Sequence, residues 1–186
     1  MILKQMLEYS KFLIKEAVKP GDKVIDATCG NGYDTLFLAE IVGPEGKVYG
    51  FDIQKNAIIA TKALLDQHKI TNVELIEDSH EKAHKYIDHA LSAVVFNLGY
   101  LPKGDHNITT QPSSTIMAIH NILPYLKKHG LVVITIYHGH MNGKAEKMAL
   151  QNYCQMLEQK KFSVLEYKFI NQQNDAPFII AIEKLS

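Results

Sequence analysis

Asp26, Gly30 and Gly32, in the run Val24-Ile25-Asp26-Ala27-Thr28-Cys29-Gly30-Asn31-Gly32, are followed twenty residues beyond Gly32 by Asp52. An apolar stretch leads into a glycine-bearing turn, and a second one, Lys47 to Phe51, ends in the second carboxylate. Glycines let the backbone approach a ligand closely, and an acid at the end of a second strand accepts hydrogen bonds from ribose hydroxyls. This is how a doubly wound α/β domain builds a nucleoside pocket. The Asp-x-x-x-Gly-x-Gly spacing separates it from a dinucleotide site. Asp26 stands where a pyrophosphate would, and its charge repels phosphate but attracts an ammonium or sulfonium group. The loop therefore favours S-adenosylmethionine over NAD.

Further residues fall into register with that reading. Asp26, Gly30 and Gly32 are expected to cradle the methionine portion, with Asn31, Asp34 and Thr35 at the start of the following helix, where free amides are available. Asp52 would hold the ribose hydroxyls, with Ile53 and Gln54 beside the adenosine. Asp78 is placed to receive the adenine amino group, Ser79 to meet a ring nitrogen, and His80 to lie nearby. Taken singly, Asp78-Ser79 also reads as a helix cap and Asp52 as a turn residue. Polar residues ending four successive strands (Asp26, Asp52, Asp78, Asn97) favour a shared ligand, because open α/β sheets bind at the carboxyl ends of their strands.

A second constellation follows Asn97. Val94-Val95-Phe96-Asn97-Leu98-Gly99-Tyr100-Leu101-Pro102 occupies the place where amino-methyltransferases carry Asn/Asp-Pro-Pro-Tyr. An amine attacking a sulfonium methyl must be held in line with the leaving sulfur. An amide oxygen and a backbone carbonyl accepting its hydrogens fix that orientation, and an aromatic ring stacks on the base. Asn97 supplies the amide and Tyr100 the ring, while Leu98-Gly99 replaces the two prolines. The alternative is that Asn97 ends a strand and Tyr100 packs as core. Asp105 and His106, in the long loop, and Tyr137-His138, after the fifth strand, are expected to line a substrate mouth. There Asp105 would bind an amine, and His106 or His138 would take its proton. Solvated loop positions are the bland alternative for each. His80 and His84 stand four apart, as do Glu77 and Glu81, but no third ligand with fitting spacing accompanies them. No metal is expected.

These residues must be carried by alternating elements. Apolar spacing predicts helices over Ile2 to Ala17, Tyr33 to Val42, Lys55 to His68, Ser79 to Tyr86, Ser113 to Lys128 and Gly143 to Lys160. Strands are expected at Lys23–Ala27, Lys47–Ile53, Val73–Glu77, Ala93–Asn97, Gly130–Ile136, Phe162–Phe169 and Phe178–Leu185. Pro124 should bend or shorten the helix containing it. The last two strands lack an intervening helix and predict an antiparallel hairpin. The expectation is one α/β domain over residues 1–186, Rossmann-like, with a seven-stranded, mostly parallel sheet and helices on both faces. The fourteen residues from Leu98 to Gln111 are long for a connection, and such loops are usually functional.

Composition narrows the classes. The 186 residues are 46% hydrophobic and 22% charged, with zero formal net charge, as in an ordinary soluble globule. No apolar run is long enough to span a membrane, the N-terminus does not read as a secretory signal, and two cysteines suit a reduced, cytoplasmic protein. All twenty basic residues are lysine, so phosphate contacts cannot use guanidinium forks. Neutral balance argues against tight, sequence-blind binding along a long duplex but is compatible with recognition of a single nucleotide. A homodimer is compatible with the sequence.

With Asp26-Ala27-Thr28-Cys29-Gly30-Asn31-Gly32, Asn97-Leu98-Gly99-Tyr100-Leu101-Pro102, Gly104-Asp105, Thr109-Thr110 and Tyr137-His138-Gly139-His140, the chain resembles the small bacterial methyltransferases labelled rRNA methylases. The resemblance spans essentially the whole chain. It implies the class I methyltransferase fold, S-adenosylmethionine as cofactor and the anticodon stem-loop of transfer RNA as partner. The implied reaction converts wobble 5-aminomethyl-2-thiouridine to its 5-methylaminomethyl form. On this resemblance Asn97 and Asp105 position the amine and Tyr100 stacks near the uracil. Thr109 or Thr110 touches the backbone, and Leu98, Gly99, His106, Tyr137, His138 and Lys144 complete the substrate side. Competing readings are a methyltransferase for ribosomal RNA or a small amine, and a non-catalytic cofactor-binding module.

Overall fold

The computed structural model describes residues 2–99, 111–137, 141–173 and 175–186, the first four of α5 below in backbone only. Its strands are β1 (Lys23–Asp26), β2 (Lys47–Asp52), β3 (Val73–Glu77), β4 (Leu91–Leu98), β5 (Leu126–Ile136), β6 (Phe162–Tyr167) and β7 (Phe178–Lys184). Its α-helices are α1 (Met6–Ala17), α2 (Tyr33–Val42), α3 (Lys55–Gln67), α4 (Pro112–Ile122) and α5 (Met141–Gln155).

The strands form one sheet in the order β3-β2-β1-β4-β5-β7-β6. All pairings are parallel except those of β7, which runs antiparallel to both β5 and β6. The expected hairpin is therefore present, with its second strand inserted between the first and the rest of the sheet. Chain order reverses between β1 and β4, so the ends of those two strands open the crevice in which such sheets bind ligands.

Period-two alternation divides the central strands between two cores. Ile25, Phe51, Val94, Phe96, Val132 and Ile134 pack with Ile119 and Ile122 of α4 and Leu150 of α5. Val24, Val48, Val95, Val133 and Ile179 pack on the other face with Ile14 of α1 and Leu38 and Val42 of α2. Both faces of the sheet are covered, which is why the central strands read as near-continuous apolar runs.

Several expected boundaries move, each for a local reason. The helix expected over Ser113 to Lys128 ends at Ile122. Leu123–Tyr125 forms a 3-10 turn around Pro124, and Leu126 already belongs to β5. Proline removes an amide donor and crowds the preceding turn, so the helix stops there. β5 then bulges: Leu91 pairs with Leu126 but Ala93 with Leu131. His129 (φ 63°) turns the chain there, and Lys127, expected on a helix face, reaches Asp22 at 2.8 Å. α1 begins at Met6 rather than Ile2, because the Gln5 amide donates to Glu8 Oε2 (3.1 Å) and starts the helix. Ile2 and Leu3 are left exposed. Ser79 to Tyr86 contains a 3-10 helix, His80–Lys85, and α5 stops at Gln155 rather than Lys160.

Candidate active site

The loop from β1 to α2 is organised by one buried acid. Asp26 is 0% exposed. Its Oδ1 accepts from the Thr28 amide (3.1 Å) and its Oδ2 from the Thr35 hydroxyl (2.6 Å). Burial, above all, and then the charges of Asp34 and Asp52 push its carboxyl up to about 7. Desolvation and like charge both disfavour the ionised form. Gly30 (φ 55°) and Gly32 (φ 85°) turn the loop through left-handed conformations. A Cβ on Gly32 would stand 2.9 Å from Thr61 Cα, so α3 closes directly over this turn. The Thr61 hydroxyl donates to the Gly30 carbonyl (3.2 Å).

Asp52 ties β2 to the same loop. Its Oδ2 accepts from the Gly30 amide (3.0 Å) and its Oδ1 from the Gln54 amide (2.9 Å). Exposed Ile53 begins the β2–α3 turn, and Ile53, Gln54, Lys55 and Asn56 line an open hollow of about 270 Å³, where the adenosine was expected. At the end of β3, Asp78 Oδ1 accepts from the Ser79 amide and from Lys82 (2.7 Å each), and Oδ2 from the Tyr86 hydroxyl (2.8 Å). These donors, Lys82 first, hold its carboxyl down at about 2. Ser79 Oγ accepts from the Glu81 amide at 3.4 Å, so the cap reading describes its local role.

His80 is buried beneath the loop. Its Nδ1 lies 3.1 Å from the Ala27 carbonyl and the ring meets Phe96 edge-on. A carbonyl only accepts, so Nδ1 carries the hydrogen and Nε2 is an acceptor. Nε2 is buried with no partner among the described residues. Burial lowers the pKa of the imidazole, which keeps the ring neutral.

Asn97, at the end of β4, meets the loop across the switch point. Its amide donates to the Thr28 hydroxyl (2.7 Å), and its side-chain Nδ2 to Asp34 Oδ2 (2.7 Å). Gly99 has φ 151°, a conformation barred to proline's fixed φ near −65°. Proline could not take the place of Gly99 in this conformation. A Gly99 Cβ would lie 3.4 Å from Tyr137 Cβ, and the Tyr137 amide donates to the Leu98 carbonyl (3.1 Å). Burial, then the Asp34 charge, raises the Tyr137 phenol.

Asp26, Gly30, Gly32, Thr35 and Asp52 are thus joined through the loop, and Asp34, Asn97, Leu98, Gly99 and Tyr137 gather on its β4–β5 side. Asn31 lies in the same turn, and Asp78, Ser79 and His80 follow β3. Tyr100, Asp105, His106, Thr109, Thr110 and His138 lie outside the described residues, as does the side chain of Lys144 in the backbone of α5. Among the described residues no group of three His, Cys, Asp or Glu is arranged to hold a metal ion. None of their helices is long and apolar enough to cross a membrane. Thr28 and Thr61 were not anticipated. Thr61 had a visible signal: it is the one polar member of the buried α3 stripe Ala57, Thr61, Leu65.

Left-handed glycine turns and three carboxylates (Asp26, Asp34 and Asp52) around one loop suit a cofactor carrying an ammonium and a sulfonium, since a cation beside Asp26 favours its ionised form. Comparison with known proteins agrees. Residues 48–183 match the family described as "Putative rRNA methylase". A shorter match, over residues 2–85, is to protein-L-isoaspartate(D-aspartate) O-methyltransferase. A crystal structure described as a "putative rRNA-methylase" from Clostridium thermocellum superposes with TM-score 0.98, at 45% identity and full coverage of both chains. A "putative methyltransferase" from Streptococcus mutans, in complex with SAH, superposes with TM-score 0.91 at 40% identity, covering 98% of this chain and 99% of that one. The Arabidopsis thaliana protein named tRNA (mnm(5)s(2)U34)-methyltransferase, chloroplastic, is 33% identical over 180 residues, 91% of this chain. The chain spans 66% of that protein's length. Fold, loop and relatives converge: the chain belongs to the "Putative rRNA methylase" family and is an S-adenosylmethionine-dependent class I methyltransferase.

Proposed function

We propose that this chain N-methylates the aminomethyl group of a transfer-RNA wobble uridine, converting 5-aminomethyl-2-thiouridine to the 5-methylaminomethyl form. The observation that carries this reading is the hydrogen bond from the Asn97 amide to the Thr28 hydroxyl (2.7 Å). It joins the residue suited to an acceptor amine directly to the cofactor loop, so the two reactants would meet with little freedom left to lose. The relative named for wobble-uridine methylation, similar over 91% of this chain, supports the same substrate.

The cofactor, when bound, supplies an electrophilic methyl group on sulfur. Asp26 would face its ammonium and Asp52 its ribose, with Asp78 and Ser79 toward the adenine. Asn97 would accept an N–H of the amine and turn its lone pair toward the loop. An aliphatic amine is mostly protonated near neutrality and must give up a proton before it attacks; Asp105, His106 and His138 are the groups proposed to bind it and take that proton. Tyr100 would stack on the uracil, and a nucleotide splayed out of the anticodon loop needs little basic surface to be held.

The test is nucleoside mass spectrometry of transfer RNA from cells with and without the gene, paired with labelled methyl transfer to purified transfer RNA, ribosomal RNA and small amines. Accumulated 5-aminomethyl-2-thiouridine in the deletion, cleared by the purified protein, is expected. Label in ribosomal RNA or in metabolites alone would replace this substrate. Asn97→Ala should lower kcat by roughly 100-fold while leaving cofactor affinity within about twofold.

A further inference from the structure

Asp34 stands in the first turn of α2, where the sequence alone suggests a contact to the methionine end of the cofactor. In the structure its Oδ2 takes the hydrogen bond from Asn97 Nδ2 at 2.7 Å. We propose that Asp34 is a positioning residue for methyl transfer, acting through Asn97 by locking the rotation of its amide. The proposal rests on the amine-acceptor reading given above.

The argument is one of donors and acceptors. A carboxylate oxygen accepts and an amide oxygen has no hydrogen to give, so the group facing Asp34 is the NH2 of Asn97. The carbonyl oxygen of that amide is then the branch left for an incoming group. A free asparagine amide flips between two nearly equal orientations, one of which turns N–H toward an amine N–H and repels it. Asp34 removes that orientation. The main chain of Asn97 is held separately, through its amide to Thr28, so Asp34 governs the remaining side-chain torsion. Helix position favours this use of an acid: the first turn of α2 stabilises negative charge. The bond also spans the chain from residue 34 to residue 97, coupling the cofactor loop to the acceptor side at the point where the sheet order reverses.

The experiment compares Asp34→Ala, Asp34→Asn, Asn97→Ala and the Asp34→Ala/Asn97→Ala double variant. Each is assayed for cofactor affinity by calorimetry, for kcat and KM on aminomethyl-bearing transfer RNA, and for the Asn97 side-chain NH2 resonances by 15N NMR. A lost charge-assisted hydrogen bond corresponds to a roughly 10- to 100-fold fall in kcat. Asp34→Ala is expected to show that fall with cofactor held at saturation, and Asp34→Asn, which retains an acceptor, to recover part of the rate. The double variant should be no slower than Asn97→Ala, because the two residues act as a unit. The NH2 resonances, shifted by the carboxylate in the parent, should move to free-amide positions in Asp34→Ala.

Multiplicative losses in the double variant overturn the proposal, as does a tenfold rise in cofactor Kd with kcat intact. If the parent protein methylates no aminomethyl transfer RNA, the substrate reading fails while the NMR comparison still decides whether Asp34 sets the Asn97 amide. Unchanged resonances in Asp34→Ala then refute the device itself.

Discussion

Replacing Asp26 by asparagine should stabilise the cofactor-free protein at alkaline pH, although it removes a residue at the centre of the site. Asp26 is fully buried and its carboxyl is raised from 3.8 to about 7, which corresponds to about 4 kcal/mol between protonated and ionised forms. Between those two values the folded chain holds a proton that the unfolded chain has released, so stability declines as pH rises. The penalty is complete above about pH 7 and absent below about pH 4. Asparagine carries no such penalty. Its oxygen can accept from the Thr28 amide and its NH2 can donate to the Thr35 hydroxyl, preserving both contacts made by the acid. Allowing about 1 kcal/mol for weaker, neutral hydrogen bonds, the variant should gain about 3 kcal/mol at about pH 8 and nothing at about pH 4.5. Urea unfolding followed by circular dichroism across that range reads the difference directly. Parent and variant curves that run parallel from about pH 4.5 to 8 would falsify the account of Asp26. The same acid should make cofactor binding release a proton near pH 6, since a cation beside the carboxylate favours its ionised form. Calorimetry in buffers of different ionisation enthalpy would detect that release in the parent and its loss in Asp26→Asn, whose cofactor affinity should also fall.

Three other outcomes are expected. Gly32→Ala forces a side chain into a left-handed turn with its Cβ 2.9 Å from Thr61 Cα. It should cost about 2 kcal/mol or more and lower Tm by several degrees in scanning calorimetry; an unchanged Tm would mean that α3 is not seated on the loop. Gly99→Pro, which restores a proline of the Asn/Asp-Pro-Pro-Tyr pattern, should depress methyl transfer at least tenfold, because φ 151° is closed to proline; a fully active variant would show that the strand end can adopt the other motif. Cys29 and Cys154 are both buried, burial raising Cys29 well above the ordinary thiol range and Cys154 to about 12. Neither should react with iodoacetamide at about pH 8 until the chain opens. Cofactor should slow Cys29 labelling specifically, whereas equal protection of both thiols would report only global stabilisation.

The sequence by itself determined the order of elements, the doubly wound architecture and the kind of cofactor. Those depend on short-range regularities: apolar period, glycines at left-handed turns, and acids at strand ends. Asp26, Asp52 and Asn97 stood out because a strand end is visible locally, and Pro124 announced a helix end for the same reason. The partners of those residues depended on folding. Thr28 reaches Asn97 across 69 residues of chain, Asp34 reaches it across 63 and Thr61 reaches Gly30 across 31. Such pairs come together only when β1 and β4 lie side by side and α3 folds over the turn, and no spacing within one segment encodes that. The charge state of Asp26 was equally out of reach, since an isolated Asp-x-x-x-Gly-x-Gly run says nothing about desolvation or about Asp34 and Asp52 converging on the same carboxylate. Local chemistry chose the residues; the sheet order, by placing strands distant in sequence edge to edge, decided what each of them touches.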